Sequence, residues 1–160
     1  MLILSDEGAI HAGGRPALAC QDACELRRTV WSRSRAQNRI VGRGWNQVTS
    51  TNDPTAHAEV TAIRAACKKL KTFQLADCEL YTSCEPCPMC LAAIYWARFQ
   101  KVYYANTRKD AANIAFDDEL IYREVARPIS KRIIPMRQLL RPEALKVFAE
   151  WKSKADKIRY

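Results

Sequence analysis

The chain of 160 residues has the size of one ordinary domain, and its 48% hydrophobic residues suffice for a core without disulfides. Its apolar runs fall short of the roughly 18 residues of a membrane span, and Asp6 and Glu7 stand where a secretory signal would be positive, so we expect neither. The net charge of +9 is spread along the chain, which favours a solvated basic surface over an RNA-binding stripe, although the stripe stays an alternative.

The predicted elements alternate between helix and strand from about residue 42 onward. Asp53 and Pro54 predict a helix start as N-cap and first helical residue, and apolar residues at helical spacing carry the helix to about Leu70. The sequence CELYT at residues 78–82 predicts a strand, and a second helix begins near Pro88 and runs to about residue 97.

The C-terminal part continues the same alternation. The sequence KVYYA at residues 101–105 predicts a strand, and residues 120–125 predict a helix. Residues 132–139 predict an edge strand, because Pro135 interrupts them, and Pro142 opens a last helix that ends near residue 158. Alternating strands and helices predict a three-layer α/β sandwich around a mostly parallel sheet.

Two predicted helix starts carry a residue set suited to zinc. His57 and Glu59 lie in the first turn after Pro54, while Cys87 and Cys90 flank the first turn of the second helix. Zinc takes thiolate and imidazole ligands in a tetrahedron, and three protein ligands leave the fourth position to water, as in catalytic sites. We therefore predict one zinc ion per subunit, held by His57, Cys87 and Cys90.

Glu59 is the predicted proton-transferring residue. Two positions along a helix correspond to about 200° of rotation, so Glu59 faces away from the metal position that His57 faces. It can still reach a water on the ion, whose pKa zinc lowers to about 7. The spacing therefore predicts a base that takes a proton from this water.

Other interpretations of these residues stay open at this point. The chain has seven cysteines, an odd number that suits metal binding in a reducing cytoplasm better than a disulfide framework. A histidine in a helix can be structural, an isolated Cys-x-x-Cys can be redox-active, and Cys84 offers an all-cysteine ligand set. We interpret Cys84 as a buried small residue, because a fourth ligand would close the site to water.

From Gly42 onward the chain resembles the cytidine and nucleobase deaminase family, and within it the bacterial guanine deaminases. The matching blocks are TNDPTAHAEV at residues 51–60, YTSCEPCPMC at 81–90 and AAIYWAR at 92–98. The first two contain the His-x-Glu and Pro-Cys-x-x-Cys signature of zinc nucleobase deaminases. The resemblance implies the cytidine-deaminase-like fold, a three-layer α/β/α sandwich on a mostly parallel, five-stranded sheet.

The resemblance also implies a reaction, the hydrolysis of guanine to xanthine and ammonia. A zinc-activated water would attack the amine-bearing carbon while Glu59 moves the proton. Asn46, Asp118 and Tyr160 would bind the base, and the C-terminal segment would be exchanged between the subunits of a cytoplasmic homodimer. From the residues alone, Asn46 is a turn residue, Asp118 a loop acid and Tyr160 a chain end.

Two competing functions stay open. A tRNA adenosine deaminase shares the zinc motif and would account for the positive charge, whereas the Phe-Asp-Asp sequence that contains Asp118 and the terminal Tyr160 favour the guanine enzyme. An inactive relic in which zinc only stabilises the fold is an alternative of another class.

Residues 1–38 depart from the family, which has a strand beginning Gly-Gly-Pro-Phe-Gly-Ala-Val at this point. Residues 27–35 read RRTVWSRSR. The codons CGG CGG ACC GTT TGG AGC CGT AGT CGT encode them, and reading one nucleotide later gives Gly-Gly-Pro-Phe-Gly-Ala-Val-Val-Val. We therefore hypothesise a frameshift in residues 1–38, compensated near residues 36–38, with a divergent N-terminus as the alternative.

The hypothesis has a structural consequence. The deaminase domain would comprise residues 39–160. A sheet without its native first strand is expected to expose an edge and to lose one wall of the base pocket.

Overall fold

The computed structural model describes residues 31–36, 39–116 and 118–159. The chain divides into two compact units, Met1–Thr107 and Arg108–Tyr160. Our predictions for residues before position 31 lie outside the described residues. Within the described part, the helices are too short or too polar to cross a membrane.

The first unit contains a sheet of four strands. They are β1 (Trp31–Ala36), β2 (Arg39–Trp45), β3 (Glu79–Cys84) and β4 (Lys101–Asn106), in the spatial order β2-β1-β3-β4. Strand β1 is antiparallel to both of its neighbours, whereas β3 and β4 are parallel. The prediction of a mostly parallel sheet is therefore wrong for the described strands, because the short connection between β1 and β2 permits only an antiparallel pair.

Six helices accompany these strands in the described residues. The first unit has α1 (Val48–Thr51), α2 (Ala58–Leu70) and α3 (Pro88–Trp96), and the second unit has α4 (Arg108–Asn113), α5 (Asp118–Ala126) and α6 (Arg141–Ser153), with one 3₁₀ turn at Ile129–Lys131. The sequence did not predict α1 or α4. Both are short and lack an apolar period.

We expected the sheet to lack its native first strand, but strand β1 occupies that position. Its backbone pairs with β3 in a register that sets Ser32 opposite Thr82 and Ser34 opposite Leu80. Ladder hydrogen bonds join backbone groups, so serine and arginine residues can form them as valine does. The expectation of an exposed edge at this position is wrong, since β1 lies between two strands.

Helix α2 begins at Ala58 rather than at Pro54. Asp53 Oδ1 accepts hydrogen bonds from the backbone nitrogen of Thr55 at 2.8 Å and from its Oγ1 at 2.6 Å. Asp53 therefore stabilises a local turn instead of a helix start. His57, with φ −66° and ψ 159°, is the N-cap of α2, so it stands at the helix entrance and not within the first turn.

The second unit departs from the prediction in its middle part. Residues 132–139 form no strand among the described residues, since all of the described strands belong to the first unit. Helix α5 confirms the predicted helix and extends it at both ends. Helix α6 begins close to Pro142, as predicted, but ends at Ser153 rather than near residue 158.

The core of the first unit lies between α2 and the sheet. One cluster of buried residues comprises Val41, Ala66, Leu75, Cys78 and Ala97. The buried face of α2 is made of alanines and Glu59. The small side chains of the alanines let β2 approach the helix backbone. At Gly44 the approach is so close that a Cβ atom would collide with the backbone of Ala58 and Ala62. This packing holds the end of β2 against the start of α2.

Candidate metal centre and its glutamate

The three predicted zinc ligands meet at the starts of two helices. His57 is the N-cap of α2, Cys87 is the N-cap of α3, and Cys90 lies in the first turn of α3. Their ligand atoms all lie within 4.8 Å of one another, with His57 Nδ1 3.6 Å from Cys87 Sγ. Donor atoms that lie about 2.0–2.3 Å from a tetrahedral zinc ion are separated from one another by distances similar to that between His57 Nδ1 and Cys87 Sγ. The three residues therefore fit zinc. Cys84 is not part of this described cluster.

Local sequence explains why both cysteines point into one site. Pro88 occupies the start of α3, where its fixed φ suits a helix and its missing N–H costs nothing. Cys87 and Cys90 then lie one turn apart near the helix N-terminus, where thiolates are stabilised. Both are buried, Cys90 completely.

The two cysteines differ in proton affinity. A hydrogen bond from the thiol of Cys90, together with the neighbouring His57, lowers the pKa of Cys87 to about 4 against the opposing effect of burial. The same hydrogen bond, together with burial and the nearby Glu59, raises the pKa of Cys90. Cys87 is therefore the thiolate of the pair, and zinc, when bound, would replace the remaining proton of Cys90.

Glu59 lies beside the ligands and is almost enclosed. It is 3% exposed, and its Oε2 accepts from Cys90 Sγ at 3.5 Å while its Oε1 accepts from Thr82 Oγ1 at 3.2 Å. Burial raises the pKa of the Glu59 carboxyl. A carboxyl group in this environment is suited to accept and return a proton near neutral pH.

The predicted base-binding residues belong to different units of the chain. Asn46 follows β2 in the first unit, half-buried, and its Oδ1 accepts from the backbone nitrogen of Val48 at 3.1 Å. Asp118 is the first residue of α5 in the second unit. Tyr160 lies outside the described residues, so its role stays a prediction.

Sequence reasoning missed two threonines that organise the site. Thr82 bonds to Glu59, and Thr61 Oγ1 donates to Trp45 O at 3.2 Å and to Ala58 O at 2.9 Å. Thr61 thereby connects the end of β2 to α2. Thr82 could have been found from the alternation in β3, because a polar residue two positions after an inward leucine requires a buried partner.

Comparison with known proteins agrees with this geometry. Residues 32–106 match the family of the cytidine and deoxycytidylate deaminase zinc-binding region. Guanine deaminase of Bacillus subtilis (strain 168) is 56% identical over 121 residues, which cover 76% of this chain and 78% of that protein. This chain belongs to the deaminase family. The predicted zinc-dependent hydrolytic deaminase is thus confirmed, and His57, Cys87 and Cys90 are brought together as its candidate metal site.

A solved structure and a second relative extend the comparison of this deaminase. The X-ray structure of guanine deaminase from Bacillus subtilis is similar to it with a TM-score of 0.83 and 49% identity, over 89% of this chain and 92% of that one. The α/β fold is therefore confirmed. The tRNA-specific adenosine deaminase of Buchnera aphidicola subsp. Schizaphis graminum (strain Sg) is 42% identical over 74 residues, 46% of this chain and 49% of that protein.

Proposed function

We propose that this deaminase hydrolyses guanine to xanthine and ammonia. The observation that carries the proposal is the extent of the similarity to the Bacillus subtilis guanine deaminase, 56% identity over 76% of the chain. The similarity to the tRNA-specific adenosine deaminase of Buchnera aphidicola covers 46%. Likeness to the guanine enzyme therefore includes parts of the chain beyond the shared zinc region.

The chemistry follows from the residues around the ligand cluster. Zinc, when bound, would act as a Lewis acid that lowers the pKa of a water molecule. Glu59 accepts a proton from that water, gives it to a ring nitrogen and assists the departure of ammonia. Its burial keeps bulk water away from the proton that it carries.

Base recognition is assigned to Asn46, Asp118 and Tyr160. The Oδ1 atom of Asn46 is engaged by the backbone nitrogen of Val48, so its NH2 group is the side of the amide that donates to an acceptor on the purine. The carboxylate of Asp118 would accept from ring and amino N–H groups of guanine, and Tyr160 would complete the pocket. Asp118 lies in the second unit, so the proposal requires that unit at the site.

We also propose a homodimer in which the C-terminal segment is exchanged. The apolar residues of the second unit support it: Val125 is 62% exposed and Phe148 is 72% exposed. In α3 of the first unit, Tyr95 is 72% exposed. Exposed apolar side chains that group into a patch are typical of interaction sites, and we infer that these side chains are covered in the dimer. In such a dimer, we propose that a fifth strand completes the sheet of the three-layer α/β/α sandwich.

The N-terminal assignment stays part of the proposal. We propose that residues 39–160 carry the native deaminase sequence, while the family match already begins at residue 32, and that residues 27–35 correspond to a frameshifted Gly-Gly-Pro-Phe-Gly-Ala-Val-Val-Val. The nucleotide sequence tests this directly. Codons for residues 27–35 that do not permit the shifted reading would contradict it and favour a divergent N-terminus.

Substrate choice is tested with zinc-loaded protein and a panel of amines. Ammonia release is measured with guanine, with cytosine and with a tRNA whose anticodon contains adenosine. We expect guanine to be deaminated fastest. We also propose that the enzyme acts in the cytoplasm. Faster release from the tRNA, together with binding that weakens steeply as salt rises, would identify a tRNA adenosine deaminase instead.

Glu59→Gln separates an enzyme from a relic. Loss of a general acid and base lowers turnover by about 10²- to 10⁴-fold, and we expect that loss with zinc still bound. Zinc content and ammonia release are measured on the same preparation. Wild-type protein that binds zinc and releases no ammonia from any of the amines would instead be an inactive relic.

A further inference from the structure

Thr82 is a polar residue on the buried face of β3. It is 5% exposed, and Leu80, two positions earlier on the same face, is fully buried. A hydroxyl group in such a place costs free energy unless it forms a hydrogen bond. Thr82 forms one, since its Oγ1 donates to Glu59 Oε1 at 3.2 Å.

The two oxygens of Glu59 have different neighbours. Oε2 lies 3.5 Å from Cys90 Sγ, on the side of the metal ligands, and Oε1 lies on the side of β3. Cys90 must be a thiolate to hold zinc, and a thiolate has no proton to donate. Among the described side chains that bond to Glu59, the hydroxyl of Thr82 is then the remaining donor.

We propose that Thr82 is a positioning residue, which holds Oε1 of Glu59 and directs Oε2 towards the water at the ligand cluster. The proposal rests on the proposed function, because only a hydrolytic deaminase needs this proton shuttle. The O–H bond of water breaks and its proton goes to Oε2 while oxygen bonds to carbon. That proton then passes from Oε2 to a ring nitrogen of the base. The proton of the new C–OH group is carried by Oε2 to the amino group, so the C–N bond breaks, ammonia leaves and the C=O group forms.

The geometry explains why a strand residue is suited to this task. The Glu59 side chain has several rotatable bonds and would lose its orientation without a partner on Oε1. Thr82 is β-branched, with a restricted χ1, and lies on a strand paired on both sides by β1 and β4. A rigid donor therefore holds a flexible acceptor in the orientation that catalysis requires.

The test compares Thr82→Val, which keeps the shape and removes the hydroxyl, with Thr82→Ser, which keeps the hydroxyl. For Thr82→Val we expect kcat with guanine to fall about 10- to 100-fold while KM changes less than about twofold, since positioning acts on the transition state. Thr82→Ser should recover kcat to within about threefold of wild type. Zinc content and the thermal unfolding midpoint are measured for each protein, with Thr82→Ala as a second hydroxyl-free variant if Thr82→Val fails to fold.

Two results would overturn the proposal. One is a hydroxyl-free variant that retains zinc and keeps kcat within about twofold of wild type. The other is a Thr82→Ser protein as impaired as Thr82→Val, which would show that packing matters and the hydroxyl does not. If the wild-type protein deaminates another amine and not guanine, the substrate proposal fails, and the same variants measured on that amine still decide the role of Thr82.

Discussion

Glu59 is deeply buried beside the thiol of Cys90, and this position predicts a measurable effect on stability. Burial raises the pKa of its carboxyl group above the ordinary value of 4.5. The folded state then binds more protons than the unfolded state over the interval between the two pKa values. The protonated Glu59 carboxyl therefore contributes stability that is fully present below its pKa in the unfolded state. This contribution is lost as the pH rises through its pKa in the folded state.

The corresponding prediction concerns metal-free protein. We expect Glu59→Gln to be more stable than wild type at neutral pH, because glutamine carries no charge to bury, and the difference to shrink towards about pH 4. Urea unfolding of chelator-treated proteins over a pH series measures it. Glu119→Gln, which removes an exposed charge, is the control. A wild-type protein more stable than Glu59→Gln at neutral pH would contradict the assignment.

Cys87 and Cys84 are neighbours in sequence but differ in role. Cys87 Sγ belongs to the ligand cluster, whereas Cys84 Sγ lies 3.8 Å from the carbonyl oxygen of Thr107. We expect Cys87→Ser to lose zinc and, with zinc on the order of a thousand times its Kd, about 4 kcal/mol of unfolding free energy. Cys84→Ser should retain both. Metal analysis and unfolding in zinc-containing buffer decide between the two ligand sets. Loss of zinc from Cys84→Ser as well as from Cys87→Ser would support the all-cysteine set.

At the scale of elements, the contact between β2 and α2 links substrate recognition to the metal. Asn46 follows β2, while His57 and Glu59 begin α2. Thr61 bonds to Trp45 O across this contact, and the backbone nitrogen of Gln47 donates to Ala56 O at 2.8 Å. The distance between the amide of Asn46, which we propose binds the base, and Glu59, which we propose transfers the proton, therefore depends on how closely the two elements approach.

Gly44 permits this approach and provides its test. The added methyl of Gly44→Ala would meet helix backbone, which cannot move aside as a side chain can. We expect a loss of about 1–3 kcal/mol in unfolding free energy and a raised KM for guanine, because Asn46 moves from its place. Arg43→Ala, at the exposed neighbouring position, is the matched control. Unchanged stability and KM in Gly44→Ala would refute the role of the close approach.

At the scale of the whole molecule, the proposed exchange of the C-terminal segment predicts complementation between inactive variants. Glu59→Gln disables the first unit of a chain, and Asp118→Ala disables the second. If each site combines the first unit of one subunit with the second unit of its partner, a mixed dimer contains one site with neither substitution. Random mixing should then restore about a quarter of wild-type activity.

Ammonia release after co-refolding of the two variants measures this recovery. Each variant refolded alone is the control and should stay inactive. A mixture without recovery would contradict the exchange, since a site formed within one chain always retains its own substitution. Sedimentation of the same samples reports whether dimers form.

Local chemistry was readable from the sequence because it depends on local spacing. Cys87 and Cys90 lie one helical turn apart after a proline, so their shared direction follows from helix geometry. Helix α3 and strands β3 and β4 were predicted close to their observed bounds for the same reason. The start of α2 was not, because Asp53 can cap a turn as well as a helix and its contact with Thr55 decided between them.

Tertiary structure decided what lies far apart in the chain. The contact between Thr82 and Glu59 joins residues 23 positions apart, and that between His57 and Cys87 joins residues 30 positions apart. The antiparallel pairing of β1 with β3 likewise joins segments far apart in the chain, Ser32 with Thr82 among them. The sequence by itself determined the class of reaction and the candidate zinc ligands, because both predictions follow from residue types at short spacing. Only the tertiary structure decided which oxygen of Glu59 faces the metal ligands, because that orientation is set by a hydroxyl on a strand packed against the helix.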